Sequence, residues 1–276
     1  MEWRNIYRGF LMGISDLIPG VSGGTIAVVL GIYDRLLAAI SGFFSREWKK
    51  HIGFLVPLAA GMGAAIVMLS RVIEYLLEHH HGPTQFFFVG LIIGVLPYIF
   101  RQSGARHKFT SGHWIVLLIM AALLASTAFI RADETADPIT SLSLLAVLGL
   151  FFSGWLASMA MLLPGISGSF VLLLLGVYPT AINAVSTMNL PVIAIIGAGV
   201  VAGFIVSSKG IRYLLAHHTL MTYAVIIGLI AGSVVVIFPG FSGDWPTLIA
   251  SIVTFIAGLG LTLLFGAESR SHVAEK

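Results

Sequence analysis

The stretch Asp16-Leu17-Ile18-Pro19-Gly20-Val21-Ser22-Gly23-Gly24-Thr25 sets a carboxylate, a proline and three glycines inside an otherwise apolar sequence. Proline removes a backbone donor and glycine weakens a helix, so a helix entering this stretch has to break. In hydrocarbon a freed backbone group costs several kcal/mol, and a break is tolerated only where protein or water surrounds it. The pattern returns once, as Met161-Leu162-Leu163-Pro164-Gly165-Ile166-Ser167-Gly168-Ser169-Phe170. Any fold for this chain must shelter two such breaks.

That the breaks fall within a membrane follows from composition. Of 276 residues, 58% are hydrophobic and 10% charged, with a mean hydropathy of +0.99. Several apolar runs reach spanning length, so the chain reads as a polytopic membrane protein. Its net charge of +3 does not point to nucleic acid, because the basic residues sit in short loops and form no stripe. The absence of cysteine excludes disulfides and thiolate chemistry. Met1-Glu2-Trp3-Arg4-Asn5-Ile6-Tyr7-Arg8 resembles a signal n-region, but no small-x-small cleavage site follows it, and we expect it to be retained.

Length decides how the first break is accommodated. A hydrocarbon core of about 30 Å needs about 20 helical residues at about 1.5 Å each. Pro19 lies 11 residues after Arg8, and Asp34 lies 9 after Thr25. Each arm covers about half the thickness at that rise, which predicts a re-entrant hairpin with its glycine-rich tip near the midplane. Three further apolar segments follow, at about 53–77, 85–100 and 114–130, and the polar linker 131–138 then separates two halves.

The second half repeats the first. Pro19, Gly20, Ser22, Gly23, Gly31, Tyr33, Ala39 and Ser41 match Pro164, Gly165, Ser167, Gly168, Gly176, Tyr178, Ala184 and Ser186 at one constant offset. Ser70-Arg71 and Tyr75-Leu76-Leu77-Glu78-His79-His80 match Ser208-Lys209 and Tyr213-Leu214-Leu215-Ala216-His217-His218. One hairpin plus three crossings is an odd number, so the second half is expected to lie upside down. With the N-terminus cytoplasmic, Arg4, Arg8, Arg46, Lys49, Lys50, Arg101, Arg106, Lys108, Lys209, Arg212, Arg270 and Lys276 all fall inside, against Arg131 alone outside. That satisfies the positive-inside rule and puts both termini in the cytoplasm.

The expected fold is therefore an all-α polytopic membrane protein of two inverted-topology repeats, each a re-entrant helical hairpin plus three transmembrane helices. The repeats are 1–137, with its hairpin at about 5–42, and 138–276, with its hairpin at about 142–187. Length alone also allows the incoming arm of the second hairpin to span, because Ser141 to Leu163 is long enough.

Each Pro-Gly-x-Ser-Gly motif precedes an apolar run that starts a helix, which makes Ser22 and Ser167 N-caps with the following amides unpaired. Such a start offers N–H donors and about half a positive charge to an anion, and glycine lets a phosphate approach closely. Ser22, Gly23, Gly24 and Thr25, with Ser167, Gly168 and Ser169, are the candidate anion-binding residues. Inverted repeats bring two such tips together near the midplane. The plainer reading is that the glycines permit close helix packing and the serines only cap.

Asp16, replaced by Met161 in the second copy, is a candidate for proton coupling or a polar network, or else caps a local turn. Arg71 and Lys209 stand at matching positions on opposite faces as headgroup-receiving candidates, with snorkelling as the alternative. Asp34 and Arg35 read as interfacial anchors. The run His79-His80-His81 does not read as a metal site, since its counterpart His217-His218 faces the other side and adjacent helical residues diverge. No cofactor is expected, and no hydrolytic triad or P-loop appears.

Residues alone stop at an inverted-repeat transporter for something anionic. Gly13-Ile14-Ser15-Asp16-Leu17-Ile18-Pro19-Gly20-Val21-Ser22-Gly23-Gly24-Thr25, then Gly31-Ile32-Tyr33, and Leu163-Pro164-Gly165-Ile166-Ser167-Gly168-Ser169 with Gly176-Val177-Tyr178, resemble the bacterial membrane family typified by PopT. The similarity covers essentially the whole chain. It implies a non-enzymatic undecaprenyl phosphate translocase of the bacterial cytoplasmic membrane, returning the lipid carrier of envelope polymers to the inner leaflet. Its expected partners are undecaprenyl phosphate and membrane lipid, and a homo-oligomer is left open. Undecaprenyl pyrophosphate phosphatases are also similar, but Gly23 and Gly168 stand where their Pro-Gly-x-Ser-Arg-Ser motif has arginine, and the first half lacks a glutamate pair for acid-base work. A small-anion transporter or channel is the other alternative.

Overall fold

The computed structural model describes residues 2–18, 21–43, 45, 48–130, 139, 142–241 and 244–274, without the side chains of 106 and 264–274. Pro19, Gly20 and the linker 131–138 lie outside the described residues. Those described are helical, with no strand among them. The first half holds α1 (Arg4–Asp16), α2 (Gly23–Val29), α3 (Tyr33–Phe43), α4 (Trp48–His79), α5 (His81–Gln102), α6 (Ala105–Lys108) and α7 (Ser111–Ser126) with a 3₁₀ turn at Thr127–Phe129. The second holds α8 (Leu144–Leu162), α9 (Gly168–Leu174), α10 (Tyr178–Ser186), α11 (Leu190–His217), α12 (Thr219–Ile237) and α13 (Trp245–Ala274).

Local chemistry sets several of these boundaries. Ser143 caps α8 by accepting from the Ala146 amide at 3.2 Å, and Asn189 caps α11, whose first turn carries a proline. Thr110 and His113 close a capping box at the start of α7. The α4, α5, α7, α8, α11, α12 and α13 helices are long and apolar enough to cross a membrane. By contrast α1 has 13 residues and reaches only about 20 Å, as a hairpin arm must.

Two features depart from simple arms. The outgoing arm is broken again in each half, between α2 and α3 at Gly31 (φ +65°) and between α9 and α10 at Gly176 (φ +68°). Both glycines take the left-handed conformation that closes a helix end, and α9 meets α10 at 113°. The second departure is α8, whose 19 residues are of spanning length although it enters the same kind of break as α1.

The helices associate in matching pairs: α1 with α4, α8 with α11, α5 with α13, and α12 with α7. Small residues let the backbones meet. A Cβ on Gly9 would lie 1.9 Å from the Leu58 carbonyl oxygen, and one on Gly61 2.0 Å from that of Ile6. The corresponding Gly154 and Gly199 sit 2.3 Å from Ile196 O and 2.0 Å from Phe151 O in the same sense. Gly90 against Phe255, and Gly228 against Leu117, repeat the device in the other two pairs. In a bilayer this close approach supplies the dispersion contact that hydrophobicity cannot. The last helix of each half thus packs on the other half, an arrangement compatible with inverted repeats.

The halves differ in one respect that matters for the site. The α2 helix is buried along all seven residues, whereas only Gly168 of α9 is. The α3 helix packs on α11 as well as α4, and α10 makes no comparable contact with α4 among the described residues.

Candidate functional site

The two break motifs touch. The Gly165 amide donates to Thr25 Oγ1 at 2.8 Å, in a buried contact, and the Tyr33 hydroxyl donates to the Leu162 carbonyl at 2.8 Å. Gly24 lies against the end of α8, where an added Cβ would be 3.0 Å from the Met161 carbonyl oxygen. A larger residue there would push the α2 start away from the α8 end. Ser22 and Thr25 are buried at 2% and 1% exposure, so the join is internal to the protein.

The α2 N-terminus is fully occupied by the chain itself. Asp16 Oδ1 accepts the Gly23 amide at 2.8 Å, and Ser22 Oγ accepts that of Gly24 at 3.1 Å. The Thr25 amide donates to the Ser22 carbonyl at 2.9 Å. Ser22 is the expected N-cap, but the following amides are not unpaired: Asp16 lies close enough to reach across the break and supply the anion. Gly23 permits this, since a Cβ there would meet Asp16 Oδ1 at 2.9 Å.

The second copy has Met161 in place of Asp16, Ser169 in place of Gly24 and Phe170 in place of Thr25. Met161 covers Gly168 as Asp16 covers Gly23, with its Cγ 2.5 Å from where a Cβ would stand. A thioether cannot cap as a carboxylate can. Ser167 makes no capping bond and instead shares a hydrogen bond with Ser169 Oγ at 2.8 Å. The amides of Gly168, Ser169 and Phe170 have no acceptor among the described residues. Sequence symmetry therefore yields chemical asymmetry: one helix start holds an internal carboxylate, and the other is open.

Arg71 and Lys209 are exposed on α4 and α11 and line none of the cavities described below. Glu2 pairs with Arg35 across the start of α1 and α3. The histidine pairs repeat as ring stacks, Tyr75 on His79 at 4.4 Å and Tyr213 on His217 at 4.2 Å. Among the described residues no group of three or more His, Cys, Asp or Glu is placed to hold a metal.

Two cavities flank the joined motifs. One, of about 140 Å³, is almost wholly apolar and lies between α1, α2, α5 and α13, against Ile14, Ile26, Leu30, Phe88 and Leu261. The other, of about 380 Å³, is open and of mixed lining, between α3, α11 and α12, where Asp34, Arg212, Thr219 and Tyr223 stand among Ala38, Leu215 and Ala216. Sequence reasoning did not single out Tyr33, Gly165 or Arg212, which faces this second cavity. The repeated Gly-x-Tyr at Gly31 and Gly176 was the available signal for Tyr33; nothing in the local sequence marked Arg212 beyond a loop charge.

The fold and this site define an all-helical, multi-pass membrane protein in which two broken-helix motifs meet inside the protein. Residues 12–252 match the family described as VCA0040-like, undecaprenyl phosphate translocase-like, and the chain belongs to it. It is 46% identical over 272 residues to a polyprenyl-phosphate transporter of Staphylococcus aureus (strain NCTC 8325 / PS 47), covering 96% of each chain. It is 34% identical over 253 residues to a polyprenyl-phosphate transporter of Vibrio cholerae serotype O1, covering 87% of this chain and 79% of that one. No solved structure matches.

Proposed function

We propose that this protein carries undecaprenyl phosphate, as its relatives' names indicate for a polyprenyl phosphate, from the outer to the cytoplasmic leaflet of the bacterial inner membrane. It does so as a transporter and not an enzyme, with both termini cytoplasmic. The observation that carries the mechanism is the junction of the two motifs through Thr25 and Gly165. On this reading Ser22, Gly23, Gly24, Thr25, Ser167, Gly168 and Ser169 line the path of a phosphate head that exchanges hydrocarbon for backbone donors, and the contact between the motifs supports it. The repeats, 1–137 and 138–276, rock about that contact while the tail stays among apolar surfaces.

The occupied and the open helix start then have different tasks. The Gly168 and Ser169 amides receive the head directly. At α2 the phosphate competes with the Asp16 carboxylate for the Gly23 amide, and a proton on Asp16 weakens that carboxylate as an acceptor. Asp16 is thus the coupling residue of the polar network. Arg71 and Lys209 draw the head toward the membrane surface on their respective faces.

Reconstitution in liposomes with chemically trapped undecaprenyl phosphate tests this. Protein-dependent leaflet exchange, weakened by Ser167→Ala at unchanged protein yield, is the expected result. Exchange no faster than in protein-free vesicles, together with saturable chloride flux, would make this a small-anion pathway. Release of phosphate from the pyrophosphate form would make it a hydrolase.

A further inference from the structure

The larger cavity, between α3, α11 and α12, has no assigned role. It measures about 380 Å³ and is lined by Asp34, Ala38, Arg212, Thr219 and Tyr223, among others. A smaller cavity of about 20 Å³ adjoins it, sharing Asp34 and Tyr223 and running in to Gly31 and Tyr33. Tyr33 is the wall between this space and the joined motifs, since its hydroxyl is held by the Leu162 carbonyl, itself 3.5 Å from where a Cβ on Gly24 would stand. The vestibule therefore leads from the surface to within one side chain of the tips.

Among the described residues Arg212 is the only cation on its lining. Its Nη1 donates to Ser41 Oγ at 2.7 Å, and no carboxylate of the described residues lies within ion-pair distance of it. The hydroxyl fixes one edge of the guanidinium without neutralising it, which leaves the remaining fork of donors for an oxyanion. The feature is one-sided. In the repeat register Ser186 matches Ser41 and Tyr178 matches Tyr33, but Glu74 stands at the position of Arg212 and Pro179 at that of Asp34. The matching positions, Ser186 and Glu74, therefore do not reproduce this pairing of arginine with serine.

We infer that this vestibule is a second binding site, for a phosphate monoester, in which Arg212 holds the head on the cytoplasmic side of the tips before it passes to the inner leaflet. The inference rests on the carrier reading above. The Asp34 carboxylate opposes an anion in the same cavity, so its removal strengthens binding, whereas loss of Arg212 weakens it.

The chain has no cysteine, so Ala216→Cys provides a single thiol on the vestibule lining. The full-length variant in inside-out vesicles is labelled with a membrane-impermeant maleimide, with undecaprenyl phosphate, undecaprenol or inorganic phosphate added. Undecaprenyl phosphate slows labelling and undecaprenol does not. Arg212→Gln raises the protecting concentration at least about tenfold, the worth of one charge-assisted hydrogen bond. Arg212→Lys recovers part of the protection, and Asp34→Asn lowers the concentration needed.

Labelling that undecaprenyl phosphate leaves unchanged, or protection that survives Arg212→Gln, would overturn the site. Protection by inorganic phosphate alone would overturn its assignment to the lipid head. Leaflet exchange measured on the same vesicles separates the two readings: exchange with an unprotected thiol removes only the vestibule site, and absence of exchange removes the carrier reading itself.

Discussion

Asp16 and Met161 hold equivalent posts over Gly23 and Gly168, and the difference between a carboxylate and a thioether sets the chemistry of each helix start. Asp16→Ala removes the acceptor of a part-buried amide and should lower stability by about 1–2 kcal/mol, the usual worth of an N-cap. Asp16→Asn keeps an oxygen in place and gives up only the charge, which at a helix start costs about 0.3–1 kcal/mol. Thermal unfolding in detergent ranks the two, and leaflet exchange under a pH gradient shows whether Asn abolishes the response, as a coupling role requires. Thr25→Val, close in shape, strands the buried Gly165 N–H and should cost about 1–3 kcal/mol, while Thr25→Ser should cost less. If both behaved alike in unfolding, the hydroxyl bond between the motifs would not be holding them. The sequence marked Asp16 and Thr25, because intramembrane carboxylates and glycine clusters are costly and therefore informative. Capping of a local turn was one of the two readings the sequence offered for Asp16, and the bond to the Gly23 amide is such a cap; the identity of the capped amide was not legible, since that contact crosses a break whose path depends on the residues packed around it.

The helix pairs meet at glycines that correspond between the halves. Gly61→Ala and Gly199→Ala each place a methyl about 2.0 Å from a carbonyl oxygen of the facing helix. Helices cannot yield there as a flexible side chain would, so each substitution should destabilise by about 1–3 kcal/mol. Gly63→Ala and Gly210→Ala, where nothing lies within 4 Å, serve as controls and should leave the unfolding midpoint unmoved or slightly raised. Equal effects in all four would mean that glycine acts through helix propensity and not through close approach. At this scale the short first arm was legible by residue counting, whereas Gly61 and Gly199 were not singled out, because a glycine in an apolar run does not show which backbone it will face. The second bend at Gly31 and Gly176 was also less legible than the arm. A glycine in an apolar run reads as packing until its φ is known, and here both sit at positive φ where the chain turns.

For the whole molecule the informative fact is that two halves of matching construction are packed unequally. Tyr33 is 7% exposed and bonded to Leu162, whereas Tyr178, its counterpart, is 37% exposed. The first hairpin is held to the second half by Thr25 with Gly165, Tyr33 with Leu162, and Ser41 with Arg212. The first two of these bonds end on the second hairpin itself, but among the described residues the register equivalents of Thr25, Tyr33 and Ser41, namely Phe170, Tyr178 and Ser186, make no such side-chain bond to the first half. If the repeats exchange roles during transport, the opposite state is built by letting α10 settle on α4, with the Tyr178 hydroxyl reaching the carbonyl of Leu17, the register equivalent of Leu162. Ligands or cross-links shift such an equilibrium only through a difference in affinity for the two states.

Paired cysteines in a chain that has none make this measurable. Ala38→Cys with Ala216→Cys, both on the vestibule lining, joined by a short bismaleimide should lock the present packing. Asn183→Cys with Glu78→Cys, the matching positions of the other half, should lock the reverse. Each cross-link is expected to stop leaflet exchange, and reaction at one pair should slow when the other has been closed. Simultaneous cross-linking of both pairs in one molecule, with exchange continuing, would show that the hairpins move independently and that the halves do not alternate.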